Sequence, residues 1–195
     1  MKSKKIERKK IYLDVAKLHM QTLETGFLHS LGIKFLILMY RCIDESRFST
    51  LIVEYKNYEL LGFVTGFTGK SSLYKALLYH PIELTTALFP VMFNFKKIIK
   101  IFNILKYMDK SKNTNLPKAE LLTICVNKNF RREGVADLLY KKLTDYFKSK
   151  FILEFVIVVG ASLEANAFYL KQGAVISGKV QIHYGSDSNI FIQKI

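Results

Sequence analysis

The sequence predicts an α/β fold of the mixed α+β kind, with helices flanking a central, mostly antiparallel sheet that contains one parallel βαβ unit. Two observations favour this fold. The second half alternates strand and helix patterns and ends in a hairpin pattern, and the first half places helical patterns before another hairpin pattern. The chain has 195 residues, of which 50% are hydrophobic, so we expect residues 1–195 to form one domain with a substantial core.

In the first half, apolar residues three and four apart predict two short helices, over residues 14–26 and 32–44. Residues 50–55 and 60–67 are rich in β-branched and aromatic side chains, and a polar turn separates them. They are therefore predicted to form a β-hairpin.

The residue pattern over 70–112 is typical of helices, and this segment is predicted to form a helical insertion before the next strand. At about 50 residues, the whole connection is far longer than an ordinary loop. Pro81 and Pro90 are expected to break it into pieces. Between Glu83 and Lys96 only twelve uncharged residues run consecutively, whereas a membrane span needs about twenty. The insertion is therefore not predicted to cross a bilayer.

The second half predicts the order strand, helix, strand, helix, hairpin. The strands are expected at 119–126, 151–159, 175–184 and 189–195, and the helices at 134–150 and 163–171. The run at 151–159 is almost wholly apolar, as a strand buried on both faces would be. Ligands in such sheets bind beyond the carboxyl ends of the parallel strands, so we expect the site to begin at Val126.

Charge and cysteine content narrow the class of protein. Lys and Arg number 30 against 16 Asp and Glu, a formal charge of +14, which suits a phosphate-bearing substrate, nucleic acid or a membrane surface. Cys42 and Cys125 stand in apolar surroundings, in neither a C-x-x-C nor a His-rich context, and are predicted to be buried free thiols. Residues 2–10 are expected to be a solvated basic leader. Since no apolar segment follows it, no secretion signal is predicted and the cytoplasm is the expected compartment.

The loop after Val126 carries the most informative motif, N-K-N-F-R-R-E-G-V-A. Gly134 and Ala136 are small residues that open a helix, and Arg131 and Arg132 stand just before them. A helix N-terminus presents unpaired N–H groups and partial positive charge, and small side chains let a pyrophosphate approach the backbone. The motif predicts a site for a phosphate-bearing ligand, with a solvated turn as the alternative.

With its flanks, this motif resembles the GNAT superfamily of acetyl-CoA-dependent N-acetyltransferases. Four pieces occur in the right order: the strand at 121–126, R-R-E-G-V-A at 131–136, the strand at 155–159, and N-A-F-Y-L-K-Q-G-A at 166–174. The resemblance is clear over about residues 118–195. Ala174 departs from the usual Phe, and Ala136 is the less common alternative to Gly; neither change removes a chemical group.

The resemblance implies that acetyl-CoA binds where the two parallel strands splay apart. Its pyrophosphate would rest on the backbone N–H groups of residues 132–137, and its pantetheine would pair with residues 124–126 as an added strand would. An N–H of this strand would polarise the thioester carbonyl. The expected cofactor-binding residues are Ile124, Cys125, Val126, Arg131, Arg132, Glu133, Gly134, Val135, Ala136, Asp137, Asn166, Phe168 and Tyr169. No metal is expected.

The resemblance also suggests catalytic residues. An amine acceptor is mostly an ammonium ion, so it must lose a proton before it attacks. Glu120 is the candidate base, with an exposed strand-end carboxylate as the alternative. Tyr169 is the candidate acid for the leaving thiolate, with a core aromatic as the alternative. Asn166 is a candidate pantetheine contact or simply a polar surface residue.

Acceptor-binding candidates are His29, His183 and Tyr184, with His19 weaker. His183 is also an alternative base, although a single His on a strand is more often structural. The thiol of Cys125 is predicted to be an inert small hydrophobe.

The predicted function is acetyl transfer from acetyl-CoA to a primary amine, with a nucleotide-linked amino sugar of surface polysaccharide synthesis as one candidate acceptor. The alternatives are a catalytically silent acyl-CoA sensor of the same fold, or an acetyltransferase for a protein N-terminus or a polyamine. Three alternatives are open for the insertion: it covers the acceptor site, it forms a partner or dimer contact, or it touches a membrane surface.

A monomer or homodimer is expected, and a nucleic-acid partner is not. The segment 66–72 resembles part of a P-loop but lacks its first glycine, because residue 64 is Val.

Overall fold

The structure is a computed structural model that describes residues 2–23, 27–69, 76–92, 116–183 and 186–195. The helices in these ranges are α1 (Lys2–Thr22), α2 (Phe27–Ser30), α3 (Ile33–Glu45), α4 (Pro81–Met92), α5 (Val135–Ser149) and α6 (Ala165–Lys171). The strands are β1 (Ser49–Lys56), β2 (Glu59–Phe67), β3 (Glu120–Val126), β4 (Glu154–Gly160), β5 (Val175–His183) and β6 (Ser186–Lys194).

Within the described ranges, the strands form a single sheet in the order β1-β2-β3-β4-β6-β5. Strands β3 and β4 run parallel, and every other neighbouring pair is antiparallel. Helix α5 connects the two parallel strands. The predicted fold class is therefore confirmed: a mixed, mostly antiparallel sheet with one parallel βαβ unit and flanking helices.

Two hydrophobic cores cover opposite faces of the sheet. On one face α1 and α3 pack against β2, and Phe63 and Phe67 are buried between them. On the other face α5 and α6 pack against β2, β3, β4 and β6, burying Leu143, Phe155 and Phe191. Each element therefore has one apolar side that matches its neighbour.

Two glycines of β2 set how closely α5 approaches the sheet. A Cβ at Gly66 would lie 2.5 Å from Leu143 Cδ1 and 2.8 Å from Phe147 Cζ. A Cβ at Gly62 would lie 3.0 Å from Leu139 Cδ1 of α5 and 2.6 Å from the carbonyl oxygen of Cys125 on β3. Side chains at both positions would push α5 away from the sheet. The glycines thus fix where the first turn of α5 lies relative to the end of β3.

Several predicted boundaries differ from the structure. Helix α1 begins at Lys2, so the predicted leader is helical; residues 2–10 contain no Gly or Pro and consist mainly of good helix formers. Helix α2 was not predicted. The strand predicted from residue 151 begins at Glu154, because Phe151 closes the turn after α5 with a φ of 58° and its side chain is 94% exposed.

The insertion is helical where the structure describes it, at residues 76–78 and in α4. Pro81 is the first residue of α4, a position that needs no N–H donor, whereas Pro90 lies inside α4 and does not break it. Helix α4 is held to α3 by Arg41, whose Nη2 lies 2.7 Å from Glu83 Oε2. The predicted apolar stripe at 98–108 lies outside the described residues.

A buried polar pair lies in the core between α1 and α3. His19 Nδ1 lies 2.6 Å from the hydroxyl oxygen of Tyr40, and both residues are almost completely buried. Burial lowers the pKa of His19 to about 4, and the nearby His29 adds to the shift. His19 is therefore neutral in the folded protein, and its Nδ1 can accept a hydrogen bond from the Tyr40 hydroxyl.

We expect this histidine to make stability fall in mild acid. In the unfolded chain a His has a pKa near ~6.5, so protons favour unfolding as the pH drops from that value toward about 4. Between pH 7.5 and pH 5.0 the free energy of unfolding should fall by about 2 kcal/mol through His19. Urea unfolding at both pH values measures this loss in the wild type and in His19→Asn, whose amide oxygen can replace Nδ1 but does not titrate. An equal loss in both proteins would contradict the assignment.

Candidate functional site

The carboxyl ends of the two parallel strands separate and leave a gap in the sheet. β3 and β4 are in register at only two positions, Glu120 with Val156 and Leu121 with Ile157. Beyond them β3 continues to Val126 beside β2, and β4 continues beside β6. The edge of β3 that faces the gap therefore has no β4 partner after its second residue, and its backbone groups can pair with a ligand.

A β-bulge lies where this gap begins. Gly66 of β2 pairs with Leu121 and Thr65 pairs with Thr123, so Leu122 is an extra residue on β3. The extra residue of a bulge leaves the ladder, and bulges occur often beside active sites because they redirect the strand. The backbone at Leu122 is thus the point where β3 turns away from regular pairing.

The bulge also determines which face of the sheet Glu120 occupies. Residues directly paired across antiparallel strands share a face, and Glu120 pairs with Phe67, which is buried under α3. Thr123 pairs with Thr65, two residues from Phe67, and lies on the same face. Without the bulge, strict alternation would place Glu120 and Thr123 on opposite faces.

The loop after β3 turns directly into α5. Asn127 stabilises its start, because its side-chain oxygen accepts a hydrogen bond from Asn129 N at 3.1 Å. Arg132 and Gly134 both have positive φ, 66° and 78°. Gly134 is the N-cap of α5, and a left-handed conformation there strains any residue with a Cβ. This sharp turn puts the start of α5 beside the end of β3.

The first turn of α5 presents free backbone donors. Leu138 N donates to Gly134 O at 3.0 Å, which makes it the first intrahelical bond. The N–H groups of residues 135–137 precede it and have no intrahelical acceptor. They carry the partial positive charge of the helix N-terminus.

An open pocket of about 200 Å³ lies against these donors. A Cβ at Gly134 would meet no heavy atom within 4 Å, so nothing in the described chain fills the space beside it. Arg131 and Arg132 have exposed side chains beside it. The pocket is lined by Val126, Phe130, Arg131, Arg132, Gly134, Val135, Ala136, Asp137 and Phe168. Free N–H groups and two guanidinium groups suit a phosphate or pyrophosphate.

The acidic residues of the predicted set contribute differently. Glu133 is exposed and does not line the pocket. The carboxylate of Asp137 accepts a hydrogen bond from Gln172 Nε2 at 2.6 Å, which ties the first turn of α5 to the end of α6. Any contact of these two residues with an anion is therefore expected from their backbone N–H groups.

On β3, Ile124, Cys125 and Val126 follow the bulge along the gap. The Cys125 side chain is buried against α1 and α3, and burial raises the pKa of its thiol to about 12. The thiol is therefore un-ionised at neutral pH, and only backbone groups of this residue can serve a ligand.

Tyr169 is buried on the α5 and α6 side of the sheet. Its ring packs against Phe168, Tyr140 and Phe191, with centroids 5.4, 6.3 and 5.9 Å away. Burial raises its pKa far above the ordinary value, and nearby Cys125 on β3 adds to the shift. The phenol therefore stays protonated and can act as a hydrogen-bond donor near β3.

Glu120 lies at the closed end of the gap, in the first of the two register pairs. It is half-buried. By the pairing described above, it occupies the face covered by α1 and α3, while Tyr169 belongs to the core of the opposite face. The two predicted catalytic residues thus flank the parallel strands from opposite sides.

Asn166 has a different arrangement from the predicted pantetheine contact. Its Nδ2 donates to the carbonyl oxygens of Gly160, Ala161 and Leu163, at 2.9, 3.2 and 2.6 Å. Its Oδ1 accepts from Asn189 Nδ2 at 2.9 Å. The whole amide is therefore engaged in joining the end of β4 to α6 and β6, and the pantetheine contact stays a prediction.

The predicted acceptor-binding residues are only partly described. His29 lies on α2, with its Nδ1 buried and without a partner among the described residues. His183 ends β5, where it pairs with Ser186 across the turn. Tyr184 lies outside the described residues. His19 faces the core and not a cleft, as shown above.

Sequence reasoning missed the bulge and the residues around it. Thr65, Leu122 and Thr123 carry no motif, because a bulge exists only in the pairing of two strands that are distant in the sequence. Phe130, which lines the pocket, could have been found as the aromatic residue before the two arginines.

Among the described residues, no group of three or more His, Cys, Asp or Glu side chains is arranged to hold a metal ion. Of the helices in the described ranges, none is long and apolar enough to span a bilayer.

Comparison with known proteins defines the class. A family model described as the acetyltransferase (GNAT) family matches residues 14–174, from within α1 to the end of the α6 region. The match covers most of the chain and includes the gap, the bulge and the pocket. The chain therefore belongs to the GNAT acetyltransferase family. Among the curated proteins, none matches this chain.

Solved structures share the fold. An N-acetyltransferase from Staphylococcus aureus Mu50 has a TM-score of 0.62 at 15% identity and covers 95% of this chain and 93% of its own. Ard1 from Thermoplasma volcanium has a TM-score of 0.57 at 17% identity, covering 97% and 92%. The PaiA N-acetyltransferase from Thermoplasma acidophilum, solved in complex with coenzyme A, has a TM-score of 0.56 at 15% identity, covering 97% and 94%. At these identities the likeness shows the fold.

The pocket at α5 yields a prediction for anion binding. Gly134→Ala should weaken the binding of inorganic pyrophosphate several-fold, because a Cβ at positive φ strains the turn that aims the N–H groups of α5. Isothermal titration measures the affinity. Gly173→Ala is the matched control, since Gly173 also has positive φ (85°) and open space around it but does not line the pocket. Equal weakening in both variants would show that general strain, not the pocket, is responsible.

Proposed function

We propose that this protein transfers an acetyl group from acetyl-CoA to a primary amine of a small molecule. One observation carries the proposal: the gap between β3 and β4 opens directly beside the anion-binding start of α5. A long ligand with an acyl end and a pyrophosphate end needs both features at one edge of the sheet. Membership of the GNAT family supports the same conclusion.

The pyrophosphate end fits the chain's own groups. Backbone N–H groups of residues 134–137 and the side chains of Arg131 and Arg132 would hold it, and glycine at 134 leaves room for close approach. The extended pantetheine portion would pair with the backbone of residues 124–126, which has no β4 partner. When bound, acetyl-CoA supplies the activated acetyl group as a thioester.

The bulge would supply the electrophilic assistance. An unpaired N–H at Leu122 or Thr123 that points into the gap can donate to the thioester carbonyl oxygen, on which negative charge develops during attack. A fixed backbone donor needs no reorganisation during the reaction. This part of β3 is also the closed end of the gap, where the acyl end of the ligand would arrive.

Glu120 is our candidate for the base. The carboxylate can take a proton from the acceptor ammonium, directly or through water, before the amine attacks. Its place supports the role, because it begins β3 next to the bulge and lies on the face with α1 and α3. The amine would then approach from that face.

Tyr169 is our candidate for the acid. A protonated phenol near β3 can donate to the sulfur as the carbon–sulfur bond breaks, and burial keeps the phenol protonated at every physiological pH. Because it belongs to the opposite face, it would act on the leaving group without blocking the amine.

For the acceptor we propose an anionic amino sugar, such as a nucleotide-linked one. The positive excess of the chain supports an anionic partner. We further propose that residues 1–195 act as one catalytic domain and that the insertion at about 70–112 borders the acceptor.

The proposal is tested by titrating the protein with acetyl-CoA and then assaying CoA release with a panel of amines that includes nucleotide amino sugars, polyamines and peptides. We expect micromolar-range binding and turnover with at least one amine class. Absence of binding would overturn the proposal, and binding without any turnover would instead favour an acyl-CoA sensor.

Replacing the candidate acid should separate chemistry from binding. Tyr169→Phe should lower kcat about 100-fold, since general acid catalysis contributes about 10²–10⁴ in rate, and should leave the Kd for acetyl-CoA within about twofold. Steady-state kinetics and titration measure the two effects. Tyr55→Phe is the control, because it removes a tyrosine hydroxyl that bonds to Asp14, far from the gap. An unchanged kcat in Tyr169→Phe would remove this residue from the mechanism.

A further inference from the structure

Two buried polar side chains, Thr65 and His19, lie near the bulge of β3. In the described part of the chain, the buried polar side chains are His19, Ser49, Thr65 and Ser188. Burying such a group costs free energy unless it is hydrogen-bonded, so its position is informative. Thr65 lies directly opposite Thr123, and His19 reaches toward the same place through Tyr40.

Tyr40 is the centre of this arrangement. It is completely buried, its hydroxyl lies 2.6 Å from His19 Nδ1, and its ring packs edge-on against Phe63 of β2 at 5.2 Å. Burial raises its pKa, while the hydroxyl of Thr123 lies close enough to the same oxygen to oppose the shift. Tyr40 thus connects α1 and α3 to β3 at Thr123.

Thr123 is also held from β2. Thr65 Oγ1 donates to the carbonyl oxygen of Thr123 at 3.5 Å, a long bond that adds to the backbone pairing of the two residues. Three elements therefore converge on one residue: α1 through His19, α3 through Tyr40, and β2 through Thr65.

The position of this support matters because Thr123 follows the bulge directly. Past Leu121, β3 has lost the β4 ladder that would otherwise fix its backbone on that side. Buried hydrogen bonds that link several elements favour one arrangement over others. In this network His19 Nδ1 is paired with Tyr40, whereas His19 Nε2 is buried without a partner among the described residues. The network supplies, from one face, the constraint that the missing ladder does not supply.

We propose that His19 and Tyr40 are positioning residues of the transfer reaction, which hold Thr123 and so direct the backbone N–H groups of the bulge into the gap. This inference rests on the proposed function. Neither residue touches substrate, since both are buried. They act through Thr123, which is half-buried and borders the gap.

Single-group substitutions test the inference. Tyr40→Phe removes only the hydroxyl, and Thr123→Val removes the hydroxyl that faces it, while Thr123→Ser keeps a hydroxyl. Tyr12→Phe is the matched control: Tyr12 is a buried tyrosine between α1 and α3 whose hydroxyl bonds to Asp44 at 2.7 Å, away from β3.

Two readouts are measured on the full-length protein. Amide hydrogen exchange of the β3 amides that pair with β2, within residues 123–126, should speed up about tenfold in Tyr40→Phe and Thr123→Val, because the local opening of β3 is less opposed. With an amine that the wild type acetylates, kcat should fall about 10- to 100-fold in the same two variants, since small displacements of a positioned donor cost that much. KM for acetyl-CoA should stay within about twofold, because the pocket at α5 is unchanged. Thr123→Ser and Tyr12→Phe should resemble the wild type in both readouts.

The double variant Tyr40→Phe with Thr123→Val should be no slower than either single variant, because both remove the same interaction. Wild-type exchange rates of the paired β3 amides within residues 123–126 in Tyr40→Phe would overturn the inference whether or not any acceptor is found. An equal fall of kcat in Tyr12→Phe would also overturn it, by showing a general loss of stability. Absence of acetyl-CoA binding by the wild type would overturn the proposed function and leave the exchange experiment to decide the positioning.

Discussion

The site depends on a hydrogen-bond ladder that stops early. β3 and β4 pair over two register positions and then part, although each continues to pair with its antiparallel neighbour. A regular sheet would have used those backbone groups internally. Here they are left for a ligand, and the remaining elements can be understood by how they keep the two strands apart and in place. Helix α5 packs against the two glycines of β2, and its free N–H groups therefore lie at the open end of the gap.

The bulge at Leu122 gives this gap two chemically different sides. By inserting one residue, it turns Glu120 onto the face covered by α1 and α3, while Tyr169 stays in the core of the other face. A base and an acid on one face would compete for the same space. Separated by the strands, the proposed base and the proposed acid would each serve a different reactant, the amine on one side and the sulfur on the other. The proposed positioning residues, the neutral His19 and the buried Tyr40, would stabilise the strand between them.

Much of this architecture could be predicted from the sequence, because it is encoded locally. Apolar periodicity gave both hairpins and the βαβ unit, and the R-R-E-G-V-A motif marked the start of α5 because glycine is required at its left-handed N-cap. The gap was expected only through the family resemblance. The bulge could not be predicted, since it depends on the register between β2 and β3, more than fifty positions apart in the chain. The spacing of residues in the sequence does not predict that His19 and Tyr40 are buried beneath Thr123. That arrangement forms only when three separate elements assemble.

The hydrogen bonds of Asn166 bear on how the width of the gap is determined. Its amide fixes the end of β4 to α6 and β6, while His19, Tyr40 and Thr65 fix β3 from the other side. Both walls are therefore set by side chains rather than by the ladder between them. Substitutions at these side chains are therefore expected to alter the width of the gap while each wall keeps its antiparallel partner.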